Sequence, residues 1–357
     1  MDLRNRFVRS ATYDGCAEDG YVTDKQVNLY STLSEGGVGL IITGITYVDD
    51  SGEFSKFQNS IAGDEFIDGF KKLTSAVHHW GAKILVQLFH AGREARFFKS
   101  RNRMPIAPSF LEADPYFKGR WSAMAEDEIW QIVDAFGDGA KRAREAGFDG
   151  VQIHGAHAYL LSQFLSPHTN RRDDRWGGKL ENRLRFHREI YQDIRHKVGE
   201  DYPVLIKVGV QDGFSGGLEF NEGKLAAHHL AEWGFDALEI SQGLRGSGYE
   251  ETEFKTKINN LDREGYYRCW CAEIKKKVDV PVMLVGGLRT FDLMEEIVQN
   301  KEADFISLSR PLIRNPSLIN DWKRGDRHRA ECISCNKCLE GLRNGEKLDC
   351  VQLKDFL

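Results

Sequence analysis

The stretch from Phe148 to Leu184 reads F-D-G-V-Q-I-H-G-A-H-A-Y-L-L-S-Q-F-L-S-P-H-T-N-R-R-D-D-R-W-G-G-K-L-E-N-R-L. It opens as a short apolar strand, Val151 to Ile153, and breaks at once into His154-Gly155-Ala156-His157, with Tyr159 two residues on. Two imidazoles and a phenol thus stand where a strand hands over to a loop. In an α/β barrel that is the catalytic rim, because every strand points its C-terminal end at the same mouth. Arg171 to Asn182 is too polar for core and too dense in glycine and aspartate for a single helix. It reads as a folded rim loop ahead of a helix starting near Leu180.

Outward from this stretch, short apolar runs alternate with helical periodicity. The candidate strands are Phe7–Ala11, Gly39–Gly44, Lys83–Phe89, Val151–Ile153, Val204–Val208, Ala237–Ile240, Val282–Val285 and Phe305–Leu308. Between them, helical spacing covers among others Glu65–Trp80, Asp127–Ala146, Leu184–Val198, Glu222–Trp233, Arg268–Lys277 and Phe291–Val298. Strand–helix alternation demands parallel strands and right-handed crossovers, and eight such units close into an α/β (β/α)8 TIM barrel. Gly147-Phe148-Asp149-Gly150-Val151-Gln152-Ile153 resembles Gly234-Phe235-Asp236-Ala237-Leu238-Glu239-Ile240, and Glu302 to Leu308 is a looser third copy. A doubly wound open sheet is the rival, since it too repeats βα units. Two long insertions, Ala91 to Ala125 and Leu244 to Arg263, are expected to wall the mouth. No linker divides the chain before about residue 325, so residues 1–325 read as one barrel and 326–357 as a short cysteine-rich tail packed on it.

The chain has 357 residues and a formal net charge of −5 with both signs interspersed. Nothing in this balance calls for a nucleic acid or a membrane surface. No apolar run reaches membrane-spanning length, and the start lacks a signal-peptide profile. Of seven cysteines, Cys16, Cys269 and Cys271 are scattered and four crowd the C-terminus. That is no secreted disulfide framework, and a cytoplasmic location is the expectation.

Polar groups or bare glycine follow nearly every apolar run: Ala11-Thr12, Thr43-Gly44, Gln87 within strand three, the histidine pair, Lys207 within strand five, Ser241-Gln242, Gly286-Gly287 and Ser309-Arg310. A purely structural barrel has no reason for Lys207, because an unpaired buried ammonium is costly. Gly286-Gly287 ahead of a helix, with Arg310 adjacent, suits a phosphate; the plainer reading is a tight turn and a rim ion pair. His-x-x-His could be half of a metal site, but no third ligand is near and no H-E-x-x-H pattern occurs. Cys332, Cys335, Cys338 and Cys350 have the spacing of a metal centre.

The quoted stretch resembles the Old Yellow Enzyme family. Its form is a strand, then His-x-x-His or His-x-x-Asn, then x-Tyr-Leu-x-x-Gln-Phe-Leu-Ser-Pro, then Asn-x-Arg-x-Asp-x-Trp-Gly-Gly-x-x-x-Asn-Arg, and nearly every element is present. The resemblance implies an FMN-dependent oxidoreductase that uses NAD(P)H to reduce the C=C bond of α,β-unsaturated carbonyl compounds. By that resemblance Ala11, Thr12 and Gly44 line the flavin ring. Gln87 and Lys207 meet its pyrimidine edge, and Gly286, Gly287, Ser309 and Arg310 hold the FMN phosphate. His154 and His157 bind the substrate oxygen, and Tyr159 donates the proton. The tail is similar to the cysteine series that binds a [4Fe-4S] cluster in 2,4-dienoyl-CoA reductase and trimethylamine dehydrogenase, and R-S-A-T near the start also resembles that branch. Zinc and free thiols stay open for Cys332, Cys335, Cys338 and Cys350. The implied partners are a small-molecule substrate and either a homo-oligomer or an electron-transfer partner subunit. The departure is at the start: relatives carry a leader that caps the barrel floor, so here either the floor is open or the natural start lies upstream. Two other readings stand beside the ene-reductase. One is an FMN/iron–sulfur electron-transfer or amine-dehydrogenase-like subunit; the other is a flavin-free phosphate-binding lyase or isomerase barrel.

Overall fold

The computed structural model describes residues 1–96, 104–343 and 348–356. All eight apolar runs are strands: β1 Phe7–Arg9, β2 Leu40–Tyr47, β3 Lys83–Phe89, β4 Gly150–Gly155, β5 Val204–Gly209, β6 Ala237–Ser241, β7 Val282–Val285 and β8 Phe305–Leu308. Each pairs in parallel with its sequence neighbour, and β1 pairs with both β2 and β8. That last pairing closes the sheet and removes the open-sheet rival. Helices fill the crossovers: α1 Asp24–Glu35, α2 Ile67–His79, α3 Glu126–Glu145, α4 Arg185–Val198, α5 Phe220–Glu232, α6 Arg268–Lys275 and α7 Phe291–Gln299.

The strands read as near-continuous apolar runs because both faces are covered. Outward residues such as Val86, Val151, Ile206 and Leu238 pack with Phe136, Ile190 and Leu230 of the helices. Inward, Val8, Leu40, Ile42, Leu85, Leu205, Ala237 and Met283 form a separate apolar layer near the floor. Side chains alternate with period two along a strand. Two residues further up, the same inward face therefore carries Ser10, Gln87, Gln152, Lys207 and Glu239. These five form a hydrogen-bonded belt: Gln87 to Gln152 at 2.7 Å, Gln152 to Glu239 at 2.9 Å, Lys207 to Ser10 at 2.9 Å and Ser10 to Glu239 at 2.7 Å. Lys207 and Glu239 also pair directly at 3.3 Å, with side chains 3% and 0% exposed. The cost of an unpaired ammonium, which set Lys207 apart in the sequence, is not incurred here, because Glu239 supplies its counter-charge from the next strand.

The internal repeat has a mechanical meaning. The backbone N–H groups of Ile84, Val204 and Val282 donate to the carboxylates of Asp149, Asp236 and Asp304 respectively, at 2.7–2.9 Å. Each repeated aspartate thus pins the start of the preceding strand. Gly147 and Gly234, just before these units, have φ of +82° and +104°, the left-handed turn that ends a helix.

Several strand ends shift by one or two residues from the expectation, and two of the shifts bear on the mouth. β1 ends at Arg9 rather than Ala11. β2 does not end at Thr43-Gly44 but runs on to Tyr47 through an irregularity between Ile42 and Ile45. A Cβ on Gly44 would lie 2.9 Å from the Thr12 carbonyl, so this kink presses strand two against the β1 exit.

The segment after β4 folds as a rim loop, held by its own buried polar side chains. After the short helix Leu160–Leu165, Asn170 donates to the carbonyls of Phe164 and Trp176, both at 2.8 Å. Arg183 donates to those of Leu165 and Gly178, at 2.8 and 2.6 Å. The insertion after β3 is described except for residues 97–103; in it Arg93 pairs with Asp114 at 2.5 Å. The tail is tied to the barrel by Ala330 N–H to Arg289 O at 2.9 Å and Leu348 N–H to Asp14 O at 3.3 Å. A cavity of about 570 Å³ lies at the floor, between Met1–Leu3 and the strand starts at Leu205, Ala237 and Met283. No described helix is long and apolar enough to cross a membrane.

Two predictions follow from this packing. Glu239→Gln leaves the Lys207 ammonium buried without a counter-charge and should cost roughly 3–5 kcal/mol in urea unfolding, whereas Glu239→Gln combined with Lys207→Met should recover most of the loss. His187 on α4 is fully buried with neither ring nitrogen partnered among the described residues, and burial pulls its pKa down to about 3. The unfolded chain takes up that proton near pH 6.5, so the stability owed to a neutral His187 is complete above that pH and drains as pH falls towards 3. His187→Leu should therefore lessen the fall of the unfolding midpoint between pH 7 and pH 5; an unchanged slope would contradict the assignment.

Candidate active site at the barrel mouth

The polar belt is the platform on which the mouth is built. Lys207 on β5 stands in register with His154 on β4, and Gln87 on β3 with Gln152. Next to the belt, at the junction of β1 and β8, the Thr12 hydroxyl bonds Ser309 Oγ at 2.8 Å and the Ser10 carbonyl at 2.9 Å. Ala11 packs down against the apolar floor layer, and the Gly44 N–H donates to Tyr30 Oη at 2.8 Å. The structure therefore brings Ala11, Thr12, Gly44, Gln87, Lys207 and Ser309 around one mouth.

His154, His157 and Tyr159 gather on the same side. The His154 ring lies 5.0 Å from His157 and 5.0 Å from Tyr159, edge-on to each. His157 and Ala158 have φ of +59° and +67°, in the left-handed region that β-carbons disfavour. That turn carries the chain from β4 back over the mouth. It lets His157 Nε2 meet Ser241 Oγ on β6 at 2.7 Å while its N–H donates to Gln242 O at 3.0 Å. Burial holds both imidazoles well below the usual histidine range; for His154 the neighbouring His157, and for both the cations Lys207 and Arg245, add to it. All of these favour the neutral form of both rings. His154 Nδ1 accepts from Ala156 N–H at 3.3 Å, which assigns its proton to Nε2 as a free donor.

On the side expected to hold a phosphate, just ahead of α7, the Glu264 carboxylate accepts from Arg289 N–H at 2.7 Å and from Thr290 N–H at 2.8 Å. Gly286 and Gly287, with φ of +137° and +72°, lie under the Tyr266 ring, which a Cβ on either would approach to 3.0–3.1 Å. Arg310 Nη1 donates to Lys255 O at 2.9 Å and Asn336 Oδ1 at 2.6 Å. Sequence reasoning missed Arg289. It is 5% exposed, its Nε and Nη2 have no partner among the described residues, and desolvation with repulsion from Arg329 and Arg310 pulls its pKa down against the pull of Glu264. Unpaired guanidinium N–H groups in a cationic corner are the donor set a phosphate needs. The Leu-Arg after Gly286-Gly287 was the available signal. Gln152 and Glu239 were missed too, although the repeat aligns them as polar residues inside apolar strands.

Cys332, Cys335, Cys338 and Cys350 all carry free thiols, and the other three lie within electrostatic reach of Cys338. Burial, together with the other three thiols, pushes Cys338 up to about 11, against the pull of Arg310. Among the described residues no group of three or more His, Cys, Asp or Glu side chains is drawn into metal-binding geometry.

Known proteins resemble the chain along its whole length. It is 37% identical over 348 residues to an NADH oxidase of Thermoanaerobacter brockii, covering 95% of this chain and 52% of that protein. It is 34% identical over 321 residues to an NADPH dehydrogenase of Clostridium acetobutylicum, covering 89% and 90%. A solved complex of 2-naphthoyl-CoA reductase with 2-naphthoyl-CoA superposes with a TM-score of 0.89 at 25% identity, over 98% of this chain and 54% of that one. The chain thus spans about half the length of the longer relatives it matches. The model of the NADH:flavin oxidoreductase / NADH oxidase family matches residues 1–328, and the chain belongs to that family.

Proposed function

We propose that the chain is the catalytic barrel of an FMN-dependent oxidoreductase that uses NAD(P)H to reduce the activated C=C bond of an α,β-unsaturated carbonyl compound. One observation carries the reading: two imidazoles and a phenol stand beside a polar platform bearing Gln87 and Lys207, with Arg289 N–H groups that have no partner among the described residues at another strand exit of the same mouth.

The residues fit FMN. Gly286, Gly287, Arg289, Ser309 and Arg310 would hold its phosphate, Ala11, Thr12 and Gly44 would border its ring, and Lys207 and Gln87 would meet the pyrimidine edge. FMN bound there would supply the hydride chemistry, with NAD(P)H as reductant and the β-carbon of the alkene as acceptor. His154 and His157 donate hydrogen bonds to the carbonyl oxygen and draw electron density from the double bond. Neutral imidazoles suit that task, because their N–H groups polarise the oxygen without surrendering a proton. Tyr159 then gives its proton to the α-carbon.

The coupled thiols favour a second reading, in which Cys332, Cys335, Cys338 and Cys350 bind a [4Fe-4S] cluster and the barrel exchanges electrons with a partner subunit or a further module. The tail adjoins the phosphate corner through Asn336 and Arg310, which supports that route.

Protein loaded with FMN should oxidise NAD(P)H in the presence of 2-cyclohexenone; failure to bind FMN would sink the first reading. The double variant His154→Ala/His157→Ala should keep its FMN while losing at least about ten-fold in affinity for a phenolic ligand, read from the long-wavelength charge-transfer band. Iron and acid-labile sulfide near four atoms each per chain, lost in Cys338→Ser, are expected of the second reading in anaerobically prepared protein.

A further inference from the structure

We propose that Arg245, in the insertion after β6, is a positioning residue for proton donation by Tyr159. It holds the phenol beside the imidazole pair and steadies the charge left on its oxygen, while Glu253 sets how much of that positive charge the phenol meets. The inference rests on the donor role given to Tyr159 above.

The Tyr159 ring is boxed on its other sides. Phe89 meets it edge-on at 4.5 Å, His154 at 5.0 Å and Phe54 at 5.9 Å. The Arg245 guanidinium lies 5.4 Å from the ring centre and 5.7 Å from that of Phe254. It is not free to swing away. Its Nε reaches the two Glu253 carboxylate oxygens at 2.7 and 3.0 Å, and its Nη2 reaches one of them at 2.7 Å. The Glu253 side chain is 4% exposed. The Arg245 side chain is 24% exposed, but its forked contact with a buried carboxylate fixes its geometry, which a mobile surface pair lacks.

The titratable and charged groups facing the phenol come from four places. They are Tyr13 after β1, Glu94 in the insertion after β3, His154 on β4, and Arg245 with Glu253 after β6. Burial pushes the phenol up, Arg245 pulls it down, and Glu253 and Glu94 push it back up. Without Arg245, two carboxylates and a dry pocket would oppose any negative charge on Tyr159. During the step the Oη–H bond breaks and a C–H bond forms at the α-carbon of the substrate. The electron pair left on Oη sits beside Arg245 until water returns the proton.

Two substitutions should act in opposite directions, which a packing role does not predict. Arg245→Met removes the cation and weakens the acid. Glu253→Gln removes a carboxylate and strengthens it. The test uses the full FMN-loaded chain and follows tyrosinate absorbance at 295 nm against pH, each variant being read as its difference from the same chain carrying Tyr159→Phe. The midpoint should rise by about one unit or more in Arg245→Met, fall by about one unit in Glu253→Gln, and stay near the starting value in Arg245→Lys. Arg245→Met strands Glu253, so Arg245→Met/Glu253→Gln accompanies it; its midpoint should lie above that of Glu253→Gln alone. Midpoints that move together, or not at all, overturn the proposal. The second measurement is the pH profile of 2-cyclohexenone turnover, whose alkaline limb should follow each midpoint. In Arg245→Met, kcat should fall about ten-fold while KM changes far less. If the midpoints move as stated but Tyr159→Phe leaves turnover intact, the coupling stands and the donor role is lost from both residues.

Discussion

A buried ammonium requires a buried carboxylate, and the inside of this barrel is arranged around that requirement. Lys207 and Glu239 stand on neighbouring strands, nearly sealed from water, and their attraction must outweigh the cost of desolvating both. It can do so because the remaining lone pairs and protons are used. Ser10 bridges the pair from just past β1, and Gln152 and Gln87 extend the chain across β4 and β3. Four strands and the exit of a fifth are thereby cross-tied by side chains as well as by backbone. The apolar layer of Val8, Leu85, Leu205 and Ala237 lies below the belt, so a stiff polar surface faces only the mouth.

That arrangement explains what could be read in advance. The eight strands were legible because strands buried on both faces need unbroken apolar runs. The histidine turn was legible because polar rings at a strand exit have little structural use. Gln152 and Glu239 were harder. Their inward orientation depends on the phase of each strand, which composition does not state, and it becomes plain only beside Gln87 and Lys207. Thr43-Gly44 misled because a kink inside a strand has the same local chemistry as its end. Glu264, Arg289 and Arg245 were out of reach for a different reason. Glu264 binds the backbone just ahead of a helix that begins 27 residues later, at Phe291. Arg245 meets a tyrosine from another strand exit. No local spacing encodes such meetings.

The rim also shows where regular structure yields to the site. His157 and Ala158 sit consecutively in a backbone region that side chains avoid, at a cost of order 1–3 kcal/mol each. The surrounding hydrogen bonds hold them there. His157 N–H is taken by Gln242, its ring by Ser241, and Gln163 Nε2 donates to Ala158 O at 2.6 Å. Gln163 belongs to the same motif as the histidines, so one stretch supplies both the strained turn and part of the brace that maintains it.

Charge is what joins these parts. Lys207 beneath the mouth and Arg245 above it both press the two imidazoles towards neutrality, and burial acts in the same direction. Neutral rings keep their N–H groups for an electron-rich oxygen, and the same two cations favour negative charge developing between them. Each cation is held by its own buried carboxylate, Glu239 below and Glu253 above. Those carboxylates keep the cations from overwhelming the site and fix their positions within it. A substitution at either carboxylate therefore alters the field across the mouth without touching the rings that act there, and its effect should be read from the protonation of those rings before it is read from the loss of any contact.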